Sequence, residues 1–149
     1  MQIKFEVKSF QELTVTELYS ILKLRFDVFV IEQACIYDEL DGYDMGAFHI
    51  QMKDEEGALI GYSRFFIPGV RYAEASLGRV VIQKHLRGKG LADELMNETL
   101  KQLFAKSGHQ KIKIAAQAYL KNFYGKFGFI PITKPYDWDG ILHYDMVRE

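Results

Sequence analysis

The chain has 149 residues, 48% of them hydrophobic and 14% aromatic, with a formal net charge of −1 at pH 7. That is one domain's worth of chain with enough apolar material for a core, and it lacks the basic balance that a nucleic-acid surface needs. The single cysteine, Cys35, excludes an intramolecular disulfide and a cysteine-based zinc site.

In chain order, residues 2–8 alternate and predict a short strand. Thr14-Val15-Thr16-Glu17 fits a capping box, in which Thr14 and Glu17 satisfy free N–H groups at a helix start. That helix is expected to reach about residue 30, with Leu18, Leu22, Phe26 and Phe29 near one face. Residues 32–46 carry five acidic residues and predict a loop. Phe48-His49-Ile50-Gln51-Met52 alternates, Asp54-Glu55-Glu56-Gly57 turns, and residues 58–67 resume as a strand, which makes a hairpin. Residues 77–82 (LGRVVI) form an apolar, β-branched run that predicts a central strand. Residues 90–106 place Leu91, Leu95, Met96, Leu100, Leu103 and Phe104 on one helical face. Residues 111–116 predict a strand and 120–126 a short helix. Two last strands, at 129–130 and 141–147, enclose a loop with Pro131, Pro135 and Trp138. The order β-α-β-β-β-α-β-α-β-β gives seven strands in one mixed α/β (α+β) domain over residues 1–149.

The amino-terminal MQIKFEVKSFQEL is polar and alternating, unlike a secretory leader. No apolar run approaches the ~18 residues that span a membrane. The expectation is a soluble cytoplasmic domain that binds neither nucleic acid nor membrane and uses no metal. Its oligomeric state is open between monomer and homodimer.

The segment HLRGKGLADELM, residues 85–96, joins the central strand to the long helix. A helix N-terminus leaves four N–H groups unpaired at the positive end of its dipole, so it accepts phosphate. Gly88 and Gly90 give the backbone freedom to approach a ligand, and Arg87 and Lys89 add charge. The spacing fits neither the G-x-x-x-x-G-K-[ST] nucleotide loop nor the G-x-G-x-x-G dinucleotide loop. Alone, R-G-K-G equally describes a solvated turn.

Arg87-Gly88-Lys89-Gly90-Leu91-Ala92 matches the R/Q-x-x-G-x-G/A signature, after the apolar strand Arg79-Val80-Val81-Ile82. Further on, Asn122-Phe123-Tyr124-Gly125-Lys126-Phe127-Gly128-Phe129 resembles an LYxKxGF segment. Together these motifs resemble the GCN5-related N-acetyltransferases (GNAT). The segment Leu24 to Gln33, then Asp41-Gly42, Leu77-Gly78-Arg79-Val80 and Gln117-Ala118, are similar to the ElaA-like branch of that family. The resemblance implies a mostly antiparallel sheet flanked by helices, with a splayed cofactor cleft between central strands.

It also implies acetyl-CoA as co-substrate. Backbone amides from Arg87, Gly88, Lys89, Gly90, Leu91 and Ala92 would hold its pyrophosphate. The strand carrying Val80, Val81 and Ile82 would pair with its pantetheine arm. Tyr124 matches the family tyrosine beside the sulfur, where a phenol can protonate the leaving thiolate. Gln117 stands where many members have asparagine, and with Asn122 it is a cofactor candidate.

The implied reaction is direct acetyl transfer to a primary amine of a small molecule or protein. Alkyl amines have pKa values near ~10, so a base is required. Glu32, in the branch motif, and His49, on a predicted strand, are the candidates, with Glu74 weaker. Each also fits a structural role. Cys35 sits in a loop with no evident base and reads as an ordinary thiol. Asp38, Glu39, Asp41 and Asp44 would favour a cationic substrate if they line its entrance, and otherwise form a solvated loop. Arg25 and Arg79 would either pair with these acids or bind a substrate carboxylate. A non-catalytic acyl-CoA sensor and a transferase of longer acyl groups are the alternative functions.

Overall fold

A computed structural model describes all 149 residues. Strand β1 spans Lys4–Ser9, and helix α1 spans Val15–Arg25. The capping box forms as expected: Thr14 Oγ1 accepts from the Glu17 amide at 3.0 Å, and Glu17 accepts from the Thr14 amide at 2.9 Å. Past Arg25 the helix widens into a π-helical turn over Phe26–Glu32. This stretch is rich in β-branched and aromatic residues, which favour the α-helix less than Ala, Leu or Lys do.

The buried stripe of α1 also differs from expectation. Ile21, Leu24 and Arg25 are buried, followed by Val28, one step around from Leu18, Leu22, Phe26 and Phe29. The reason is Arg25, a fully buried charge whose partners lie in the acidic loop.

Strands β2 (Phe48–Lys53), β3 (Leu59–Phe66) and β4 (Ser76–Ile82) complete an antiparallel sheet in the order β1-β2-β3-β4. Helix α2 (Leu91–Ser107) follows the glycine loop. Then come β5 (Ile112–Gln117), a short helix α3 (Lys121–Gly125), β6 (Ile130–Pro131), β7 (Tyr136–Trp138) and β8 (Ile141–Arg148). They form a second antiparallel sheet ordered β5-β8-β6, with β7 also on β8.

There are therefore eight strands, one more than predicted. The extra strand is β7, three residues long. It pairs Tyr136 with His143 and turns back at Asp139-Gly140, whose φ values are +53° and +80°. That pair of positive angles is the type I′ hairpin turn that Asp-Gly favours.

Apolar burial puts the helices on opposite faces of the first sheet. Ile21, Leu24 and Val28 pack on Tyr62 and Val81. Leu95, Met96 and Leu103 of α2 join Ile50, Met52, Phe65 and Ile82 in the larger core, which runs on into Ile112, Ile114 and Met146 of the second sheet. No helix is long and apolar enough to cross a membrane.

The two sheets are joined by backbone pairing at one place only. Ala75, just before β4, bridges Ile112 in parallel, and the Lys113 amide donates to the Ala75 carbonyl at 2.9 Å. Beyond that bridge β4 and β5 part, and their divergence creates the site.

Candidate functional site

Between the separated strands lies a cleft of about 550 Å³. Gly78, Arg79 and Val80 of β4 form one wall, and Ala115, Ala116 and Gln117 of β5 the other. Tyr124 of α3 reaches in from below. Tyr37 and Asp38 of the front loop, with Trp138, Asp139 and His143 of the β7–β8 hairpin, close the opposite side.

The β4 wall is irregular. Tyr62 pairs with Val81 but Arg64 pairs with Gly78, so Arg79 and Val80 both stand opposite Ser63. This is a β-bulge, which re-aims the strand. Arg79 takes a φ of +51°, unusual for a residue with a side chain. The conformation is held by ionic contacts, since Arg79 Nε donates to Glu39 Oε2 at 2.8 Å.

That contact belongs to a buried network of three arginines and three carboxylates. Arg25 donates to Glu39 Oε2 at 2.7 Å and to Asp44 Oδ1 at 2.8 Å. Arg64 donates to Asp44 Oδ1 at 2.8 Å and to both oxygens of Asp41. The Tyr37 hydroxyl donates to Glu39. Burial pushes the Asp41 and Asp44 carboxyls up, but Arg64 and Arg25 outweigh it and hold both below the usual carboxylate range. Formal charges cancel, and the front loop is tied down onto β3 and β4. Most of the acidic run is thus structural. Arg25 and Arg79 pair with it rather than standing free for a substrate carboxylate.

A second tie crosses the cleft mouth. The side-chain amides of Gln33 and Gln117 exchange hydrogen bonds at 3.1 and 3.2 Å, and Gln33 also donates to the Tyr119 hydroxyl at 3.0 Å.

At the far end of β4 the chain makes a 3-10 turn over Lys84–Leu86 and enters the glycine loop. Gly88 and Gly90 have φ of +82° and +79°, and a Cβ on either would meet open space. No side chain caps α2, so its first amides face outward without a protein acceptor. Arg87, Lys89 and Lys84 stand around this opening. Arg87 is held by Glu32 through two hydrogen bonds, at 2.5 and 2.9 Å, and its Nε reaches the Ile82 carbonyl at 3.3 Å.

An acetyltransferase (GNAT) domain model matches residues 16–149 of this chain. The chain belongs to the GNAT acetyltransferase family. Within that family it falls in the ElaA-like branch. It is 38% identical to Protein ElaA of Escherichia coli over 141 residues, 93% of this chain and 91% of that one. The crystal structure of E. coli ElaA superposes with a TM-score of 0.91 at 36% identity, covering 99% of this chain and all of that one. An acyl-CoA N-acyltransferase from Pseudomonas aeruginosa superposes at 0.93 with 35% identity, covering 99% and 100%.

Within this GNAT fold the residues singled out from sequence fall into separate groups. Tyr124, Gln117 and Val80 meet at the cleft. Burial raises the Tyr124 phenol above its ordinary range, with Tyr119 adding to the effect, so it stays protonated. Val81 and Ile82 are buried, one in the α1 cluster and the other in the α2 cluster. Neither lines the cleft, whose β4 wall runs from Ser76 to Val80. Asn122 is exposed on another face of α3, away from the cleft. Arg87 to Ala92 form the separate glycine opening at the start of α2.

Glu32 and His49 are not brought to the cleft. Glu32 is occupied by Arg87, which holds its carboxyl below the usual range. His49 is buried, with Nδ1 2.6 Å from the Tyr62 hydroxyl and Nε2 2.8 Å from the Asp44 carbonyl. A carbonyl can only accept, so Nε2 carries the proton and Nδ1 accepts from Tyr62. Burial lowers its pKa and keeps it neutral. No nitrogen of His49 is left for chemistry.

The cleft also holds a histidine that no motif marks. His143, on β8, lies beside Gln117 in the β5–β8 register and lines the cleft. The hairpin that places it was signalled only by Asp139-Gly140.

Proposed function

We propose that this protein transfers the acetyl group of acetyl-CoA directly to a primary amine. The observation that carries the reading is spatial: a splayed cleft between β4 and β5, with Tyr124 on its wall, is lined by residues 76–80 of the same strand whose far end feeds the glycine opening of α2.

The residues present fit the cofactor's chemistry. A pyrophosphate needs amide donors and positive charge. The unpaired amides at the start of α2, the open space at Gly88 and Gly90, and Arg87 and Lys89 offer both. The pantetheine arm needs a free strand edge, and β4 beyond Ala75 has none of its cleft-side length paired with β5. Gln117 offers an amide at the cleft mouth. When bound, the thioester supplies an activated acyl carbon with a thiolate leaving group.

The protein's own contribution is orientation, exclusion of water and proton handling. Backbone amides of the β4 wall near Val80 to Ile82 supply donors for a developing oxyanion. Tyr124, kept protonated by burial, holds its proton at the hydroxyl oxygen for the departing sulfur. Asp38 and Asp139, exposed on the cleft rim without an ion-pair partner, favour a cationic acceptor.

The test is incubation with acetyl-CoA and a panel of phenethylamine, spermidine, lysine and a lysine-bearing peptide, with free thiol as the readout. Thiol release with acetylated amine by mass spectrometry is the expected result. Tight acetyl-CoA binding without turnover on any amine would replace this reading with a sensor.

A further inference from the structure

The acyl-transfer reading leaves the base unassigned, because Glu32 is engaged by Arg87 and His49 is sealed in the fold. We propose that His143 is the general base, taking the acceptor amine's proton at Nε2. This role rests on the acyl-transfer reading.

The argument begins with the tautomer. Nδ1 of His143 lies 2.8 Å from the carbonyl oxygen of Ile141, two residues back on the same strand. That oxygen only accepts, so Nδ1 must donate and holds the ring's proton. Nε2 is left as the lone-pair nitrogen, and it makes no hydrogen bond within the protein. A ring prepared in this way has its basic atom free and its other nitrogen anchored, which is what a general base requires.

Ring position is fixed as well. His143 stacks on Tyr136 at 6.1 Å with an interplanar angle of 23°, and Trp138 tilts against it at 5.2 Å. Both aromatics come from β7, and the Asp139-Gly140 turn sets the register that brings them there. On its other side His143 is paired in register with Gln117 of the cleft wall. His143 and Tyr124 therefore line one cleft, base and acid on different elements.

The proton balance closes with these two groups. The acceptor ammonium first loses one proton to solvent, and the freed lone pair of the amine nitrogen bonds to the acyl carbon while the carbon–sulfur bond breaks. The nitrogen gives its surplus proton to Nε2 of His143, and the sulfur takes the hydroxyl proton of Tyr124. Return of the proton from His143 to the tyrosinate through solvent restores both groups.

The experiment has three arms. In the first, nitrogen-15 NMR of imidazole-labelled protein without ligand should find the neutral ring protonated at Nδ1 and bare at Nε2. A neutral ring with its proton on Nε2 overturns the proposal. In the second, calorimetry should find acetyl-CoA binding by His143→Asn within about 2-fold of wild type, because asparagine can still donate to the Ile141 carbonyl; a large loss assigns His143 to the cofactor site and overturns the role as base. In the third, single-turnover acetylation of the best amine of the panel should slow by about 100-fold or more in His143→Asn. In His143→Ala, added imidazole should restore part of the rate. An unchanged rate in His143→Asn overturns the role while leaving acyl transfer intact. A wild type that binds acetyl-CoA but acetylates no amine overturns the function and His143's role together.

Discussion

Glu32 grips Arg87 at two points, Oε2 to Nη1 at 2.5 Å and Oε1 to Nη2 at 2.9 Å. The pair joins the π-helical turn after α1 to the loop that opens α2, 55 residues later. It therefore links the front half of the chain to the glycine opening. It also gives Glu32 a task that competes with base chemistry, since both carboxylate oxygens are already accepting.

Replacing Glu32 with glutamine releases most of this hold. The pair is partly exposed, so its worth is modest, about 0–1 kcal/mol. A pyrophosphate that uses Arg87 would no longer compete with a carboxylate for it. We expect Glu32→Gln to bind acetyl-CoA up to about 5-fold more tightly. Turnover should stay within about 2-fold, against the 100-fold or greater loss expected of a missing base. Calorimetry and steady-state kinetics on one preparation decide the matter, and a 100-fold loss of kcat would reinstate Glu32 as the base.

Asp44 carries two buried guanidinium groups, those of Arg25 and Arg64, each at 2.8 Å. Removing it leaves buried positive charge under-compensated, which costs more than an ordinary polar deletion. Asp44→Ala should lose about 3–5 kcal/mol of unfolding free energy. Urea unfolding measures this directly. A loss below about 1 kcal/mol, the value of a surface pair, would mean the network is hydrated rather than buried.

Acid should weaken the fold in two stages. His49 has a folded pKa lowered by burial, so its contribution is present above the unfolded value, near ~6.5, and is lost as pH falls below it. Asp41 and Asp44 are also depressed, so they stabilise above the unfolded carboxylate value, near ~3.9, and lose that as pH falls toward their folded values. Glu17 behaves likewise: the Thr14 amide, Gln51 and Lys8 outweigh its burial and hold it at about 2, so its contribution is present above the unfolded glutamate value, near ~4.3, and lost as pH falls toward about 2. Unfolding free energy measured from pH 8 to 2 should decline gently from the histidine range and steeply below about 4. His49→Gln should remove the first stage and spare the second. A single acid transition in both proteins would contradict the assignment.

The elements of the proposed cofactor half were legible because their signal is local in sequence. A strand, two glycines and an amphipathic helix within residues 77–107 specify the open helix start by themselves, and Tyr124 sits in a recognisable segment. The proposed acceptor half is built from long-range pairings. Gln33 meets Gln117 across 84 positions, and His143 reaches the cleft only through the register of β8 with β5. No spacing encodes such a meeting. Arg25 misled the helix reading for a related reason: a charge normally marks the solvent face, but here Glu39 and Asp44 make it buried. The eighth strand had a visible cue in Asp139-Gly140, yet three residues of β7 are too few to display alternation.

Tyr124→Phe removes one oxygen from a buried ring that packs edge-on with Phe123 and Phe129. The hydroxyl has no protein partner, so stability should change by less than about 1 kcal/mol and acetyl-CoA should still bind. Loss of the proton donor should lower kcat by roughly 100-fold at neutral pH. The deficit should shrink with acyl donors whose leaving thiol is more acidic, since these need no proton. Equal turnover by the variant with acetyl-CoA would remove Tyr124 from the reaction.

Gly90 combines a φ of +79° with open space where a Cβ would stand, at the amides that begin α2. A β-branched side chain there has two effects that can be separated. The left-handed backbone costs about 1–2 kcal/mol in the protein alone. The added atoms also occupy the space through which an anion reaches the helix. Gly57 is the matched control, with a φ of +84° and equally open surroundings, but in the turn between β2 and β3. We expect Gly90→Val and Gly57→Val to lose comparable stability by urea unfolding. Only Gly90→Val should lose acetyl-CoA affinity, by about 10-fold or more, the equivalent of one lost charge-assisted hydrogen bond. Undiminished affinity in Gly90→Val, measured by calorimetry, would place the pyrophosphate elsewhere.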